Sequence, residues 1–297
     1  MSKKNQVFVQ TNSIQAIKSY FKERLNPQFT ESEIKSMLKE AILQRLNLSA
    51  SEYLLCDDNR LSESDLLYFR NIVKRLQANE PFQYIIGNTE FFGLEIKTDK
   101  RALIPRPETE ELVEWIVKDH QTASIHQFID FCTGSGCIAL ALKSQFPSAQ
   151  AFATDFSEDA LNLAKENAES LGLELKTVFH NALSEKAILG CESNSCDLIV
   201  SNPPYIPALD KHEMAANVLE YEPHMALFVE DTNALIFYKA LAKQSANLLK
   251  PGGNIYVEIH ERLGEATQSI FEELGFVNIV LRKDLQGKDR MLKAQKP

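Results

Sequence analysis

The chain has 297 residues, 44% hydrophobic and 25% charged, an ordinary globular composition long enough for about two domains with sizeable cores. No apolar run reaches the about 18 residues of a membrane span, and the N-terminus Met1-Ser2-Lys3-Lys4-Asn5 lacks a signal-peptide core, so neither a membrane contact nor export is expected. The net charge of −9 is uneven: residues 1–85 carry 12 Lys+Arg against 10 Asp+Glu, and the remainder 20 against 31, an acidic surface poorly matched to a phosphate backbone.

Residues from about 12 to 80 read as helical. Ile14, Ile17, Phe21 and Leu25 recur at helical spacing. Thr30-Glu31-Ser32-Glu33 is a capping box before Ile34, Leu38, Ala41 and Ile42, and Ser62 to Asp65 repeats that spacing before Phe69, Ile72, Val73 and Leu76. A small helical bundle follows, with the Lys74-Arg75 pair solvated. Gln83 to Gly87 and Glu90 to Ile96 then read as two short strands around a Gly-Asn turn, a β-hairpin linker. The expected organisation is a helical substrate-recognition domain at 1–82, the linker at 83–104 and a catalytic domain at 105–297.

From residue 105 strands and helices alternate, as in an open α/β sheet. Strands are expected near 126–131, 150–155, 176–180, 197–201, 254–259, 276–282 and 289–293. Helices are expected near 108–119, 137–146, 157–171, 233–249 and 262–274, with Gly172 and Gly252-Gly253 at helix C-termini. The last two strands have no helix between them, which predicts a closing antiparallel hairpin.

Two motifs in this region carry chemistry. Phe128 to Phe131 is an apolar strand, Cys132-Thr133-Gly134-Ser135-Gly136 a glycine-rich turn, and Cys137 onward a helix. The glycines permit a tight turn and close approach of a ligand, and the helix N-terminus offers free N–H groups. Asp155, 19 positions after Gly136, ends the next strand where a carboxylate accepts ribose hydroxyls, and Ser157 is the better cap of the following helix. Alone, this set fits an NAD site as well as an S-adenosylmethionine site. The second motif is Asn202-Pro203-Pro204-Tyr205 after the apolar run ending at Val200. The prolines stiffen the loop and free neighbouring carbonyls. The Asn202 amide, a backbone carbonyl and the Tyr205 ring suit a planar group carrying an NH2. Together the motifs point to methyl transfer to nitrogen, since no histidine stands in either as the proton relay a dehydrogenase needs.

The five cysteines (56, 132, 137, 191, 196) form no Cys-x-x-Cys pair and are odd in number, which indicates a reducing compartment, the cytoplasm. Cys132 and Cys137 read as small packing residues. No metal is implied, because no His/Cys/carboxylate cluster has ligand spacing.

Four segments in one order make the chain similar to a known family. They are Ile104-Pro105-Arg106-Pro107-Glu108-Thr109-Glu110, the Asp130 to Gly136 turn, the Asn202 to Tyr205 loop, and Asp284-Leu285-Gln286-Gly287-Lys288-Asp289-Arg290. The chain resembles the HemK/PrmC family, the N5-glutamine methyltransferases of peptide chain release factors, over nearly its whole length. The resemblance implies a class I S-adenosylmethionine-dependent methyltransferase fold, Rossmann-like, behind a small helical domain. It implies that Cys132, Thr133, Gly134, Ser135 and Gly136 wrap the methionine moiety of the cofactor. Asp155 would hold the ribose, with Phe156 against the adenine and Asn181, Ala182 and Leu183 at its edge. Asn202, also in the cofactor-binding set, and the Pro203 carbonyl would bind the target amide, with Pro204 and Tyr205 packed on it and Arg106 in the substrate-binding set. The partner implied is a release factor, methylated on the glutamine of its Gly-Gly-Gln loop. Two features depart from the family: Ala182 stands where Asp is frequent, and the loop 228–234 lacks the family's glycines. An adenine-N6 methyltransferase of DNA or RNA would use the same loop on an exocyclic amine. The +2 of residues 1–85 is a thin basic surface for that, so no direct nucleic-acid contact is expected. A non-catalytic binding module would not need Asp155, Asn202 and Tyr205 together.

Overall fold

The computed structural model describes residues 11–122, 124–184 and 186–297. The N-terminal pentapeptide read against a signal peptide lies outside them. The chain forms two compact units, Met1–Ile86 and Gly87–Pro297.

In the first unit the helical pattern becomes α1 (Ile14–Leu25), α2 (Glu31–Leu46), α3 (Ala50–Tyr53), α4 (Glu63–Gln77) and α5 (Phe82–Ile86). The Ser13 hydroxyl caps α1, and Thr30, Ser49 and Ser62 form reciprocal capping boxes with Glu33, Glu52 and Asp65. The apolar stripes meet in one core, where Ile14, Ile17, Phe21 and Leu25 are wholly buried with Ile34, Leu38, Phe69 and Ile72. Two expectations fail here. Residues 83–86, expected as strand, lie in α5, because Phe82 and Ile85 reach this core together at helical spacing. Arg75, expected in solvent, pairs with Glu80 and donates to the Tyr84 and Ile85 carbonyls, both at 3.3 Å. It thereby holds the C-terminal carbonyls of α5, which a helix this short leaves without internal partners.

The second unit opens with the antiparallel hairpin β1 (Asn88–Phe91) and β2 (Leu94–Lys97). Its turn is Phe92-Gly93, both at positive φ, and not the expected Gly87-Asn88. The Glu110 carboxylate fixes it by accepting the Phe92 N–H at 2.6 Å. There follow α6 (Pro107–Asp119), β3 (Gln127–Phe131), α7 (Cys137–Gln145), β4 (Gln150–Asp155), α8 (Glu158–Leu171), β5 (Lys176–Phe179) and β6 (Cys196–Ser201). A long excursion after β6 holds β7 (Ile206–Pro207), α9 (Ala216–Tyr221), β8 (Phe228–Val229) and three 3-10 turns. The chain ends with α10 (Ile236–Leu248), β9 (Leu249–Glu258), α11 (Gly264–Glu273), β10 (Val277–Lys283) and β11 (Asp289–Gln295).

The seven-stranded sheet has the order β10-β11-β9-β6-β3-β4-β5. The strands from β9 to β5 are parallel, and β11 closes antiparallel against β9 and β10. This is the expected open sheet with its antiparallel hairpin. Its strands alternate faces: Leu198 and Val200 of β6 join a core with α6 and α7, while Ile199 joins another with α10 and α11. Gly172 ends α8 in the left-handed region, as expected. Gly252 and Gly253 do not end a helix. They lie within β9, at a register irregularity opposite β6. A Cβ on Gly253 would stand 2.9 Å from the Lys250 carbonyl oxygen, so the backbone is too close there for any side chain. No helix among the described residues is long and apolar enough to cross a membrane.

Candidate functional site

The order of strands reverses between β3 and β6, and in open α/β sheets ligands bind at the carboxyl ends of the strands beside such a reversal. A cavity of about 350 Å³ lies there, in the size range of small-molecule sites. Its wall includes Cys132 to Ser135, Asp155, Phe156, Asn181, Ala182, Leu183, Asn202, Pro204 and Arg106. Residues far apart in sequence are thus gathered around one space. Gly136, Pro203 and Tyr205 are not among its lining residues.

The glycine-rich turn is shaped by backbone. Cys132, Gly134 and Gly136 all have positive φ. At Gly136 a Cβ would meet the Ala164 Cβ at 3.0 Å, so both conformation and the approach of α8 require glycine. Two carboxylates brace the turn. Asp130 is wholly buried; its Oδ2 accepts the Thr133 hydroxyl at 2.6 Å and the Ala139 N–H at 3.2 Å, and its Oδ1 has no partner. Burial pushes its carboxyl up to about 7, opposed by those two hydrogen bonds. Asp155 accepts the Gly134 N–H on one oxygen and the Ser157 N–H on the other, each at 2.9 Å. It therefore links the turn to the end of β4, and Ser157 caps α8. Burial raises the Asp155 carboxyl above its usual range, and the same N–H groups draw it back.

Beside Asp155 the Phe156 and Phe179 rings, both half exposed, lie 5.3 Å apart at 40°. Asn181 shapes the neighbouring edge, its side chain accepting the Leu183 N–H at 2.9 Å. Ala182 is buried in the core with Ile188 and Phe152, and offers the cavity no polar side chain. Burial raises both Cys132 and Cys137, the latter to about 12, which disfavours the thiolate at both positions.

On the opposite wall the half-buried Asn202 follows directly on β6. Its Nδ2 donates to the Thr109 hydroxyl at 3.1 Å, and that hydroxyl donates to Glu258 Oε2 at 2.7 Å. The Tyr205 hydroxyl donates to Glu258 Oε1 at 3.0 Å. Burial raises the Glu258 carboxyl, against the two hydroxyl donors and the Arg290 charge. Arg106 is paired with the buried Glu222 at 2.6 Å, and Glu222 also accepts the Ile104 N–H. Among the described residues no three His, Cys, Asp or Glu side chains gather as a metal site.

Residues 109–227 match the Methyltransferase small domain family and residues 20–87 the PrmC N-terminal domain. A release factor glutamine methyltransferase of Flavobacterium psychrophilum is 40% identical over 93% of this chain and 98% of its own. Another, from Bacteroides thetaiotaomicron, is 39% identical over 94% of this chain and 99% of its own. The chain belongs to the release factor glutamine methyltransferase family. Among solved structures, a methyltransferase from Pyrococcus furiosus shares the fold, with a TM-score of 0.53 at 19% identity over 75% of this chain and 98% of its own.

The methyltransferase therefore takes S-adenosylmethionine, and the donor set fits it. A carboxylate pinned at a strand end, the Phe156 ring and an open glycine-rich backbone face one space of suitable size. Sequence reasoning missed Thr109, Glu222 and Glu258. A signal existed for Glu258: a carboxylate ending the apolar run Ile255-Tyr256-Val257 is out of place unless the fold uses it. For Glu222 no local signal exists, since its partners Ile104 and Arg106 precede it by more than a hundred residues.

Proposed function

We propose that the protein transfers a methyl group from S-adenosylmethionine to the side-chain nitrogen (N5) of the glutamine in the Gly-Gly-Gln loop of a peptide chain release factor. The observation that carries this reading is one cavity with a nucleotide-type wall at Gly134, Asp155 and Phe156 and an amide-type wall at Asn202. S-Adenosylmethionine supplies an electrophilic methyl group on a sulfonium. Cys132 to Gly136 receive its methionine part, Asp155 its ribose, and Phe156 with Asn181 to Leu183 its adenine. With alanine at 182, the adenine edge is recognised by backbone and shape.

The glutamine nitrogen is a weak nucleophile because its lone pair is delocalised into the carbonyl. The Asn202 carbonyl oxygen and the Pro203 carbonyl accept its two N–H bonds, which directs the nitrogen and raises its electron density. Pro204 and Tyr205 pack about the amide plane. Arg106, held by Glu222, shapes the entrance on the same wall. The rate gain is mainly positioning and preorganised electrostatics. The proton leaves to water after transfer.

One planar side chain is too small a contact to select a protein. The helical unit, with its own core, supplies further contacts to the folded partner. Supporting this, a groove of about 530 Å³ between α1, α2 and α3 is lined by Lys18, Lys22, Lys35, Lys39 and Tyr53. The five free cysteines support action in the cytoplasm.

The test is mass spectrometry of a release factor and of nucleic acid after incubation with labelled S-adenosylmethionine. The label is expected on the Gly-Gly-Gln glutamine. Label on adenine, with none on that glutamine, overturns the reading in favour of a nucleic-acid substrate.

A further inference from the structure

We propose that Thr109 and Glu258 form an orientation lock for the Asn202 side chain, holding its carbonyl oxygen toward the cavity and its NH2 toward the protein. The inference rests on the amide-clamp reading of Asn202 and specifies what makes that clamp selective.

An asparagine amide is nearly symmetric in shape, yet its two ends have opposite chemistry. Turned one way it accepts from a substrate N–H; turned the other way it donates. Something in the protein must choose. The Thr109 hydroxyl has one hydrogen, and the buried Glu258 oxygen 2.7 Å away takes it. Both groups are almost fully buried, at 2% exposure each, so water does not compete for that hydrogen. Thr109 is left with lone pairs only. Its neighbour at 3.1 Å must then be the Asn202 NH2 end, because the carbonyl end would set two acceptors face to face. The carbonyl oxygen is thereby directed away from Thr109, toward the cavity that Asn202 lines.

The other Glu258 oxygen takes the Tyr205 hydroxyl at 3.0 Å, so the carboxylate acts as the common acceptor for two hydroxyls. Thr109 is itself held: it lies in the first turn of α6, its N–H donates to the Arg106 carbonyl at 3.1 Å, and the adjacent Glu110 anchors to the Phe92 N–H. The segment Arg106 to Glu110 therefore aims a hydroxyl at Asn202. The chemical consequence is selection for a group with N–H bonds over one that presents only acceptors, so an amide enters and a carboxylate does not. Thr109 and Glu258 are positioning residues and touch no reacting atom in this scheme.

The experiment uses the full-length enzyme with its release factor, reading kcat, KM for the release factor, the dissociation constant for S-adenosylmethionine and the thermal midpoint. Thr109→Val keeps the shape and deletes the hydroxyl; kcat is expected to fall by about tenfold to a hundredfold with cofactor affinity unchanged. Thr109→Ser keeps the hydroxyl and is expected to restore most of the rate. Glu258→Gln can donate to Thr109, which frees the threonine hydrogen to face Asn202 and reverses the lock; kcat is expected to fall at least as far. In the Thr109→Val background Glu258→Gln is expected to add little, since Glu258 then has no threonine hydroxyl to orient. Should Thr109→Val fail to fold, Glu258→Gln, equal in shape, with Tyr205→Phe as its control, carries the test. Equal losses for Thr109→Val and Thr109→Ser, or fully additive losses in the double variant, overturn the lock. If Asn202→Ala is inactive while Thr109→Val keeps wild-type kcat, the lock falls and the clamp stands. If Asn202→Ala keeps its turnover, the clamp reading itself falls.

Discussion

The two walls of the cavity are built in opposite ways. The proposed cofactor wall is local: Cys132 to Ser135, Asp155 to Ser157 and Asn181 to Leu183 are short segments at the ends of β3, β4 and β5, braced by backbone hydrogen bonds such as Gly134 N–H to Asp155. The proposed substrate wall is long-range: Asn202 bonds Thr109 across 93 positions, Thr109 bonds Glu258 across 149, and Arg106 pairs with Glu222 across 116. Each wall includes a buried carboxylate, Asp130 on one and Glu258 on the other, and these differ as well. Glu258 has a hydroxyl donor on each oxygen, whereas Asp130 has two donors on one oxygen and none on the other. The first wall is thus shaped mainly by local bonds to the backbone, and the second by long-range bonds between side chains.

The largest expected effect follows on the substrate wall. Asn202→Ala removes the acceptor proposed for the reacting amide and should lower kcat by about 10²–10³-fold, the scale of losing one preorganised hydrogen-bonding group. Cofactor affinity should change little, because the cofactor wall does not depend on this side chain. Single-turnover kinetics beside calorimetric titration with S-adenosylmethionine separate the two. Near-normal turnover would remove the amide clamp from the account.

On the cofactor wall the loss should appear in binding. Asp155→Ala deletes the proposed ribose acceptor and also frees the Gly134 and Ser157 N–H groups. Affinity for S-adenosylmethionine should weaken by about 1.5–3 kcal/mol, the scale of charge-assisted hydrogen bonds. The wild-type protein should gain thermal stability from S-adenosylmethionine and none from NADH, since a ligand stabilises the state it binds. Stabilisation by NADH instead would break the assignment of this wall.

This contrast explains what the sequence made legible. The glycine turn, Asp155 and the Asn202 loop are contiguous motifs whose geometry is set within a few residues, so their positions at strand ends follow from periodicity and turn chemistry. Thr109 and Glu258 lie on separate elements and acquire meaning only when β6 and β9 pair and α6 packs over them. The same holds in the helical unit. The stripes of α1, α2 and α4 are readable, but α5 is helical because Phe82 and Ile85 join a core made by other helices and Arg75 holds its end. Tertiary burial outweighs the local strand preference of Tyr84, Ile85 and Ile86.

A smaller effect concerns the helical unit. Deleting residues 1–86 removes a separate core and the lysine-lined groove, leaving the cavity residues in place. Methylation of an intact release factor should fall by about tenfold or more, as expected when part of a protein interface is lost, while a Gly-Gly-Gln peptide should be methylated nearly as before. Circular dichroism establishes that the shortened protein is folded. Equal losses on both substrates would place recognition in the catalytic unit alone.

The smallest effect tests the difference between the two buried carboxylates. Asp130 is pushed up to about 7 by burial, whereas an unfolded aspartate titrates near about 3.9. The folded state therefore keeps a proton that the unfolded state has released. Stability is greatest below the unfolded value, declines as pH rises from about 4 to about 7, and levels off above. In Asp130→Asn the side chain has no proton to lose, and Oδ1 keeps the acceptor role toward Thr133 and Ala139 if the amide nitrogen takes the unpartnered side. The thermal midpoint of this variant should match wild type at about pH 4 and exceed it increasingly as the pH rises to about 8, by several degrees, following the about 2–4 °C per kcal/mol of a domain of this size. Scanning calorimetry across that range is the check. A wild-type midpoint with the same pH slope as Asp130→Asn would mean that Asp130 is ionised throughout, and that the turn rests on a buried charge.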